Sequence, residues 1–285
     1  MMTSAQQRDF CGAAGAARPA LAGFRALALM AALMTMTGLA GCRSTGDITG
    51  SIGATTPLPA APDQLQAYSD DWAKRYEANP GSKTAAINYA RALRAQARSA
   101  QAVAVLQGTV IKNPADFEVL GAYGKALADA GRLKEAAETL SRSHTPERPN
   151  WSILSAQGAV ADQMGEHEAA QGYYDAALKI VPGDPTVMSN LGLSYALSKQ
   201  LPRAETALRE AAAHPQADAR VRQNFALVLA LEGKFAEAEA VSRRDLAPAE
   251  AAANVTAIRS MIAQSNTWRD IQNPRAARGG KQAAR

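Results

Sequence analysis

Small apolar residues recur along the chain at one constant interval. They form two series of five, twelve residues apart, and each series advances by 34 residues without insertion or deletion. The first series is Ala90, Gly124, Gly158, Gly192 and Ala226; the second series is Ala102, Ala136, Ala170, Ala204 and Ala238. Larger apolar residues stand three positions after most members of the first series and four positions after most members of the second, where they can fill the space around a close helix–helix contact. The pattern therefore predicts five pairs of antiparallel helices.

Glycine and proline mark the breaks in the same interval. Gly131, Gly165 and Gly233 fall between the two helices of a pair, where glycine adopts a left-handed backbone most easily. Pro114 and Pro182 fall at the ends of their repeats and interrupt the helices there. A period of 34 residues is that of the tetratricopeptide repeat, so we expect an all-α solenoid, a right-handed superhelix of antiparallel helix pairs. The predicted repeats are residues 83–116, 117–150, 151–184, 185–218 and 219–252. The alternative, a generic alanine-rich helical bundle, has no reason to keep so constant a spacing.

Single helices are predicted to cap both ends of the array. The terminal repeats of a solenoid would otherwise expose an apolar face. Residues 63–80 form the first expected cap helix and residues 249–264 the second, within an array that spans residues 63–264. Residues 265–285 are polar and basic and contain glycine, so we expect a mostly disordered tail.

The N-terminus has the pattern of an export signal. Arg18 and Arg25 precede an apolar run at residues 26–39, which is too short for a permanent membrane-spanning helix. The sequence Leu39-Ala40-Gly41-Cys42 follows at once and resembles the lipobox of bacterial lipoproteins. The resemblance implies that the Cys42 thiol receives a diacylglycerol and that its new amino group is acylated after cleavage. The alternative is an ordinary secretory signal in which Cys42 stands by chance.

The lipobox resemblance has consequences for location. Residues 1–41 would be removed as a lipoprotein signal peptide, and Cys42 would anchor the protein to a membrane through its acyl chains. Residues 42–62 are rich in glycine, serine, threonine and proline and are predicted to be a flexible tether. Arg43 stands where an aspartate retains lipoproteins in the inner membrane of enteric bacteria, so we expect an outer-membrane lipoprotein whose folded part lies in the periplasm.

Composition and charge exclude several classes of protein. Two cysteines, Cys11 and Cys42, cannot form a disulfide framework or a four-thiolate zinc site. The formal net charge of +5 would suggest a nucleic-acid partner if it were spread over the fold. However, residues 1–41 carry +2 and residues 265–285 carry +4, which leaves −1 for residues 42–264. We therefore expect no nucleic-acid partner.

No catalytic motif is visible. His144, His167 and His214 lie in different repeats near predicted turns, so they are expected to be surface residues and not metal ligands. The sequence has no glycine-rich phosphate loop, nucleophile elbow or HExxH motif. We therefore expect no enzyme, no cofactor, no metal and no small-molecule substrate.

The expected functional surface is a groove lined by the first helix of each repeat. Asn190 and Asn224 occupy equivalent positions in successive repeats, and Arg220 lies one turn before Asn224. Asparagine can contact a peptide backbone as donor and acceptor, and arginine can bind a carboxylate with two hydrogen bonds. Together with Leu193 and Leu227, these residues are candidates for a peptide clamp. The alternative is that asparagine is a common repeat residue here and that Arg220 is a solvated charge.

A second candidate stretch lies at the other end of the groove. Arg91, Arg94 and Lys125 would form a basic surface there. The alternative is a solvated basic face without a partner.

Three segments resemble one family of tetratricopeptide lipoproteins. They are Arg220–Glu239 (RVRQNFALVLALEGKFAEAE), Asn190–Ser194 (NLGLS) and Gly121–Ala128 (GAYGKALA). They are similar to the TadD family of Flp (tight adherence, Tad) pilus assembly lipoproteins, over about residues 65–261. The resemblance implies a non-enzymatic, pilotin-like outer-membrane protein that helps the pilus secretin to reach, assemble in or remain stable in the outer membrane. The secretin would then be the partner. The alternative is an outer-membrane lipoprotein that serves cell-wall enzymes or general outer-membrane protein assembly.

Overall fold

The computed structural model describes residues 58–272, and this part of the chain consists of helices without a strand. The helices are α1 (Pro62–Ala78), α2 (Lys83–Ala95), α3 (Ser99–Lys112), α4 (Phe117–Asp129), α5 (Leu133–Ser141), α6 (Trp151–Gln163), α7 (His167–Ile180), α8 (Pro185–Leu197), α9 (Leu201–Ala213), α10 (Ala219–Leu231), α11 (Phe235–Ser242) and α12 (Pro248–Gln272). Cys42 and the predicted signal peptide and tether up to residue 57 lie outside the described residues, as do residues 273–285.

The first helix of each pair begins after a polar capping residue. Each of these five caps uses a side-chain oxygen to accept hydrogen bonds from backbone amides in the first turn. The capping residues are Ser82, Asp116, Asn150, Asp184 and Asp218. Such a cap contributes about 1 kcal/mol to a helix because it satisfies a backbone donor that has no partner within the helix. The caps recur every 34 residues and set where each repeat begins.

Glycines of the first small series allow close contact between the two helices of a repeat. A Cβ atom added to Gly124 would lie 2.6 Å from Cγ of Leu140, and one added to Gly192 would lie 2.6 Å from Cγ of Leu208. Leu140 and Leu208 are fully buried, as are all five alanines of the second series. The small positions therefore pack against the large ones within each helix pair.

The turn between the helices of a pair adopts the same left-handed backbone in every repeat. Gly131, Gly165 and Gly233 have φ values of 74°, 81° and 83°. The first and fourth repeats place non-glycine residues there, Ala97 at φ 58° and Lys199 at φ 64°. A side chain in this region costs roughly 1–2 kcal/mol, so these two turns are held by the packing of their flanking helices.

Contacts between helices define two layers. Each first helix contacts the first helix of the next repeat, so that α2, α4, α6, α8 and α10 form a continuous row. The second helices contact the helices before and after them in the chain but not one another. The first helices therefore lie closer together and form the inner layer. Helix α12 contacts both α10 and α11, so it occupies the next first-helix place in the row.

The C-terminal helix is longer than predicted. It continues to Gln272, whereas the sequence predicted an end at residue 264 and a disordered tail beyond. Neither glycine nor proline occurs between Pro248 and Pro274, so nothing in the sequence breaks the helix earlier.

Candidate functional site

The inner face is the surface that the first helices turn away from the second helices. In α10 it carries Arg220, Asn224, Leu227 and Leu231, which are spaced so that they share one side of the helix. In α8 the equivalent side carries Thr186, Asn190, Leu193 and Leu197. On both helices the N-terminal half of this face is polar and the C-terminal half is apolar.

The two asparagines connect neighbouring first helices. The Asn190 amide nitrogen donates a hydrogen bond to Oγ of Ser155 at 3.3 Å, and the Asn224 amide nitrogen donates to Oγ of Ser189 at 3.0 Å. In both pairs the asparagine lies 35 residues after the serine. Asn190 is only 6% exposed. The asparagines that the sequence suggested for a peptide clamp therefore use their donors to hold adjacent repeats together.

This ladder of hydrogen bonds ends at α10. Gln223 stands 34 residues after Ser189 and is therefore equivalent to the serines of the ladder. The residue 35 positions after Gln223, where an asparagine would complete the next pair, is Ile258, whose side chain cannot form a hydrogen bond. Gln223 accepts from Oγ of Ser242 at 3.4 Å. One turn earlier, the buried Nε of Arg220 has no hydrogen-bond partner among the described residues, and the carboxylate of Asp218 lies 3.9 Å from it.

The predicted basic stretch is internally bonded. Nε of Arg94 lies 2.5 Å from a carboxylate oxygen of Asp129. Lys125 is 2% exposed, and its ammonium donates to Oγ of Ser152 at 2.7 Å. The Arg91 guanidinium donates to Oδ1 of Asn88 at 3.3 Å. These cations connect neighbouring helices or turns and do not form an open basic surface.

The C-terminal half of the inner face carries exposed aliphatic side chains. Leu197 is 57% exposed and Leu231 is 41% exposed, and each lies one turn after a half-buried leucine, Leu193 and Leu227. On α12 the residue equivalent to Leu227 is Met261, which is 45% exposed. We call these five side chains the apolar stripe. Sequence reasoning identified only Leu193 and Leu227, although the 34-residue spacing from 197 to 231 and from 227 to 261 was the signal for the others.

Comparison with known proteins assigns the repeats. The tetratricopeptide repeat family model matches residues 87–149 and 155–219. The chain contains tetratricopeptide repeats. The predicted all-α tetratricopeptide solenoid is therefore confirmed, and such repeats are protein–protein interaction scaffolds. No curated protein matches the chain in sequence.

Solved tetratricopeptide structures share the fold. TTC0263, a thermophilic tetratricopeptide protein of Thermus thermophilus, is 19% identical with a TM-score of 0.54, over 62% of this chain and 98% of that one. A tetratricopeptide repeat protein from Parabacteroides merdae is 14% identical with a TM-score of 0.54, over 72% and 81%. A chain of the APC/C hetero-tetramer Cut9-Hcn1 is 18% identical with a TM-score of 0.55, over 68% of this chain, which spans only 40% of the Cut9-Hcn1 chain. At these identities the likeness extends to the fold alone.

A partly buried carboxylate joins the third and fourth tetratricopeptide repeats. Oδ1 of Asp162 accepts from Oγ of Ser194 at 2.8 Å and contacts Nδ1 of His167 at 2.9 Å, and Oδ2 accepts from the Tyr174 hydroxyl at 3.2 Å. Burial, followed by the charge of Asp162, raises the pKa of Tyr174. His167 is 25% exposed and bonded to this carboxylate, and His144 is partly buried and contacts Gln157 at 3.0 Å.

The described residues contain no group of three or more histidine, cysteine, aspartate or glutamate side chains that could hold a metal ion. Among the same residues, no helix combines the length and apolar character needed to cross a membrane.

Proposed function

We propose that this tetratricopeptide protein is a lipid-anchored, non-enzymatic scaffold of the bacterial envelope that holds a segment of a protein partner on its inner face. The observation that carries the proposal is the apolar stripe. Leu197, Leu231 and Met261 are each more than 40% exposed, whereas the polar candidates Asn190, Asn224, Arg94 and Lys125 are bonded internally. The largest exposed apolar patch of a folded monomer is about 300–600 Å² and is often functional.

The envelope location and the partner rest on the sequence. Leu39-Ala40-Gly41-Cys42 supports lipidation, and the resemblance of Arg220–Glu239 to the TadD family supports a role in Flp pilus assembly. The proposed partner is the pilus secretin, and the proposed role is to help it assemble or remain stable in the outer membrane.

Deletion of the gene tests this role. We expect detergent-resistant secretin multimers to disappear from the outer-membrane fraction and piliation to fall. Expression of the wild-type chain restores both. Normal multimers and normal pili in the deletion strain would contradict the proposal.

Complementation with variants connects the role to the inner face. A chain carrying Leu197→Glu and Leu231→Glu is expected to accumulate normally but to leave secretin multimers reduced. Ile111→Glu is the matched control because Ile111 is 75% exposed on α3, a second helix outside the inner face. Equal rescue by the double variant and the control would show that the stripe does not serve this partner.

A further inference from the structure

We infer that the partner segment is an amphipathic α-helix with acidic residues on its polar side, and that it lies across the apolar stripe on α8, α10 and α12. The inference rests on the proposed function to the extent that a protein segment binds the inner face. The inference adds that the bound segment is helical and that it contacts only the C-terminal half of the array.

Hydrogen bonding favours a helical ligand over an extended one. An extended peptide leaves its backbone donors and acceptors to be satisfied by the receptor. The asparagines of the inner face are poorly placed for this, because Asn190 is buried and both Asn190 and Asn224 donate to serines of the preceding repeat. A helix satisfies its own backbone and requires chiefly apolar contact, as in other helix-in-groove complexes.

The size of the stripe favours a single helix over a second copy of this chain. Leu197, Leu231 and Met261 are 57%, 41% and 45% exposed and the two other leucines are half-buried. The stripe is therefore small beside the roughly 800 Å² that each partner buries in a stable protein–protein interface. Neighbouring helix axes lie about 8–10 Å apart, so the stripe extends roughly 20 Å from α8 to α12. This is the length of about 13 helical residues, and such a helix presents three or four apolar side chains on one side.

Charge at the edge of the stripe indicates the polar side of the ligand. Arg220 lies on the same side of α10 as Leu227 and Leu231, two turns before Leu227 and three turns before Leu231. In the part of the chain that the structure describes, its buried Nε has no hydrogen-bond acceptor, and the carboxylate of Asp218, which is half exposed, lies 3.9 Å away. The Arg220 side chain is 20% exposed, so its guanidinium can pair with a glutamate or aspartate beside the apolar face of the bound helix.

Labelled model peptides test the inference on the full chain in lipid nanodiscs, which avoid competition by detergent. The first peptide, of roughly 14 residues, forms a helix with leucines on one side and glutamates on the flanks. The second has the same composition in an order without helical periodicity. The third is the first with two prolines in its centre, which prevent a helix. Fluorescence anisotropy measures binding to each.

We expect only the first peptide to bind. Leu197→Glu with Leu231→Glu should weaken binding at least about tenfold, Arg220→Gln about threefold, and Ile111→Glu not at all. Circular dichroism checks that the variants remain folded. Binding of the proline peptide as tightly as the first, equal weakening by Ile111→Glu, or no binding of any peptide would overturn the inference. It would also be overturned if sedimentation showed a dimer that Leu197→Glu with Leu231→Glu dissociates, because a second copy would then cover the stripe.

The two proposals fail separately. If secretin multimers depend on the protein but no helical peptide binds the stripe, the pilus role stands without this ligand. If the first peptide binds as expected but secretin multimers are normal in the deletion strain, the helix-binding site stands and the pilus role fails.

Discussion

Gly158 and Gly172 both lie inside helices, but an added methyl group would meet packed atoms at Gly158 and open space at Gly172. Replacing each with alanine therefore tests the effect of close packing separately from the effect of helix propensity. A Cβ added at Gly158 would lie 2.6, 2.7 and 2.9 Å from three ring atoms of Tyr174. That ring is 2% exposed, and its hydroxyl is bonded to Asp162, so it has little freedom to move away. No described atom lies within 4 Å of a Cβ added at Gly172, on the exposed side of α7.

Two opposing contributions decide the outcome at each site. Alanine stabilises a helix interior by roughly 1 kcal/mol relative to glycine. Overpacking a filled core costs about 1–3 kcal/mol, and the rigid ring places Gly158→Ala at the upper end of that range. We therefore expect Gly158→Ala to lower the free energy of unfolding by about 2 kcal/mol and Gly172→Ala to raise it by about 1 kcal/mol.

Urea denaturation followed by far-ultraviolet circular dichroism measures both changes on the full chain. Wild type and the two variants are compared at the same temperature and ionic strength. If Gly158→Ala were as stable as the wild type, the small position would not be required by the contact with Tyr174, and the explanation of the 34-residue series by close helix packing would be wrong.

Three further outcomes are expected. Lys199→Gly should raise the free energy of unfolding by about 0.5–1 kcal/mol in urea denaturation, because it relieves a left-handed φ at an exposed side chain; a loss of stability would contradict this. Hydrogen bonds from Lys234 and then Arg209 lower the pKa of Glu205 from 4.5 to about 2. Since the folded pKa lies below the unfolded one, this contribution is present above about pH 4.5 and is lost as the pH falls towards 2. Urea midpoints of Glu205→Gln should therefore fall less between about pH 6 and about pH 3 than those of the wild type, and equal falls would contradict the assignment. Cys42→Ser should leave an unprocessed or released protein on membrane fractionation, and a mature-sized species that still sediments with the membrane would contradict lipidation.

The helix pairs could be predicted because their signal is local and repeated. Each repeat needs a small residue opposite a large one, as Gly124 faces Leu140 and Gly192 faces Leu208, and the chain repeats that requirement at one interval. The turns follow the same interval, so the period gives the positions of the turns at Ala97 and Lys199. Because neither residue is glycine, the residue type alone does not indicate their left-handed backbone.

The roles of the polar residues could not be predicted in the same way. The period identifies equivalent positions, such as Asn190 and Asn224, but it does not say which positions of neighbouring repeats face each other. The structure shows that a serine faces an asparagine 35 residues later, one more than the repeat length. This offset depends on how one repeat is rotated against the next, which no single repeat encodes. For the same reason, the sequence could not show that Lys125 is buried against Ser152.

Helix α12 caps the C-terminal end of the array and also contributes a residue to the apolar stripe. Ala251 and Val255 are buried and Ile258 packs partly buried against the last repeat, so this side of the helix covers the apolar end of the solenoid. Met261, one turn after Ile258, is exposed and extends the apolar stripe. Truncation before α12 would therefore remove the cap together with the last part of the stripe, and any loss of binding would be indistinguishable from loss of folding. Substitution of Met261 alone separates the two roles, because its exposed side chain contributes to the stripe while the capping side of the helix stays intact.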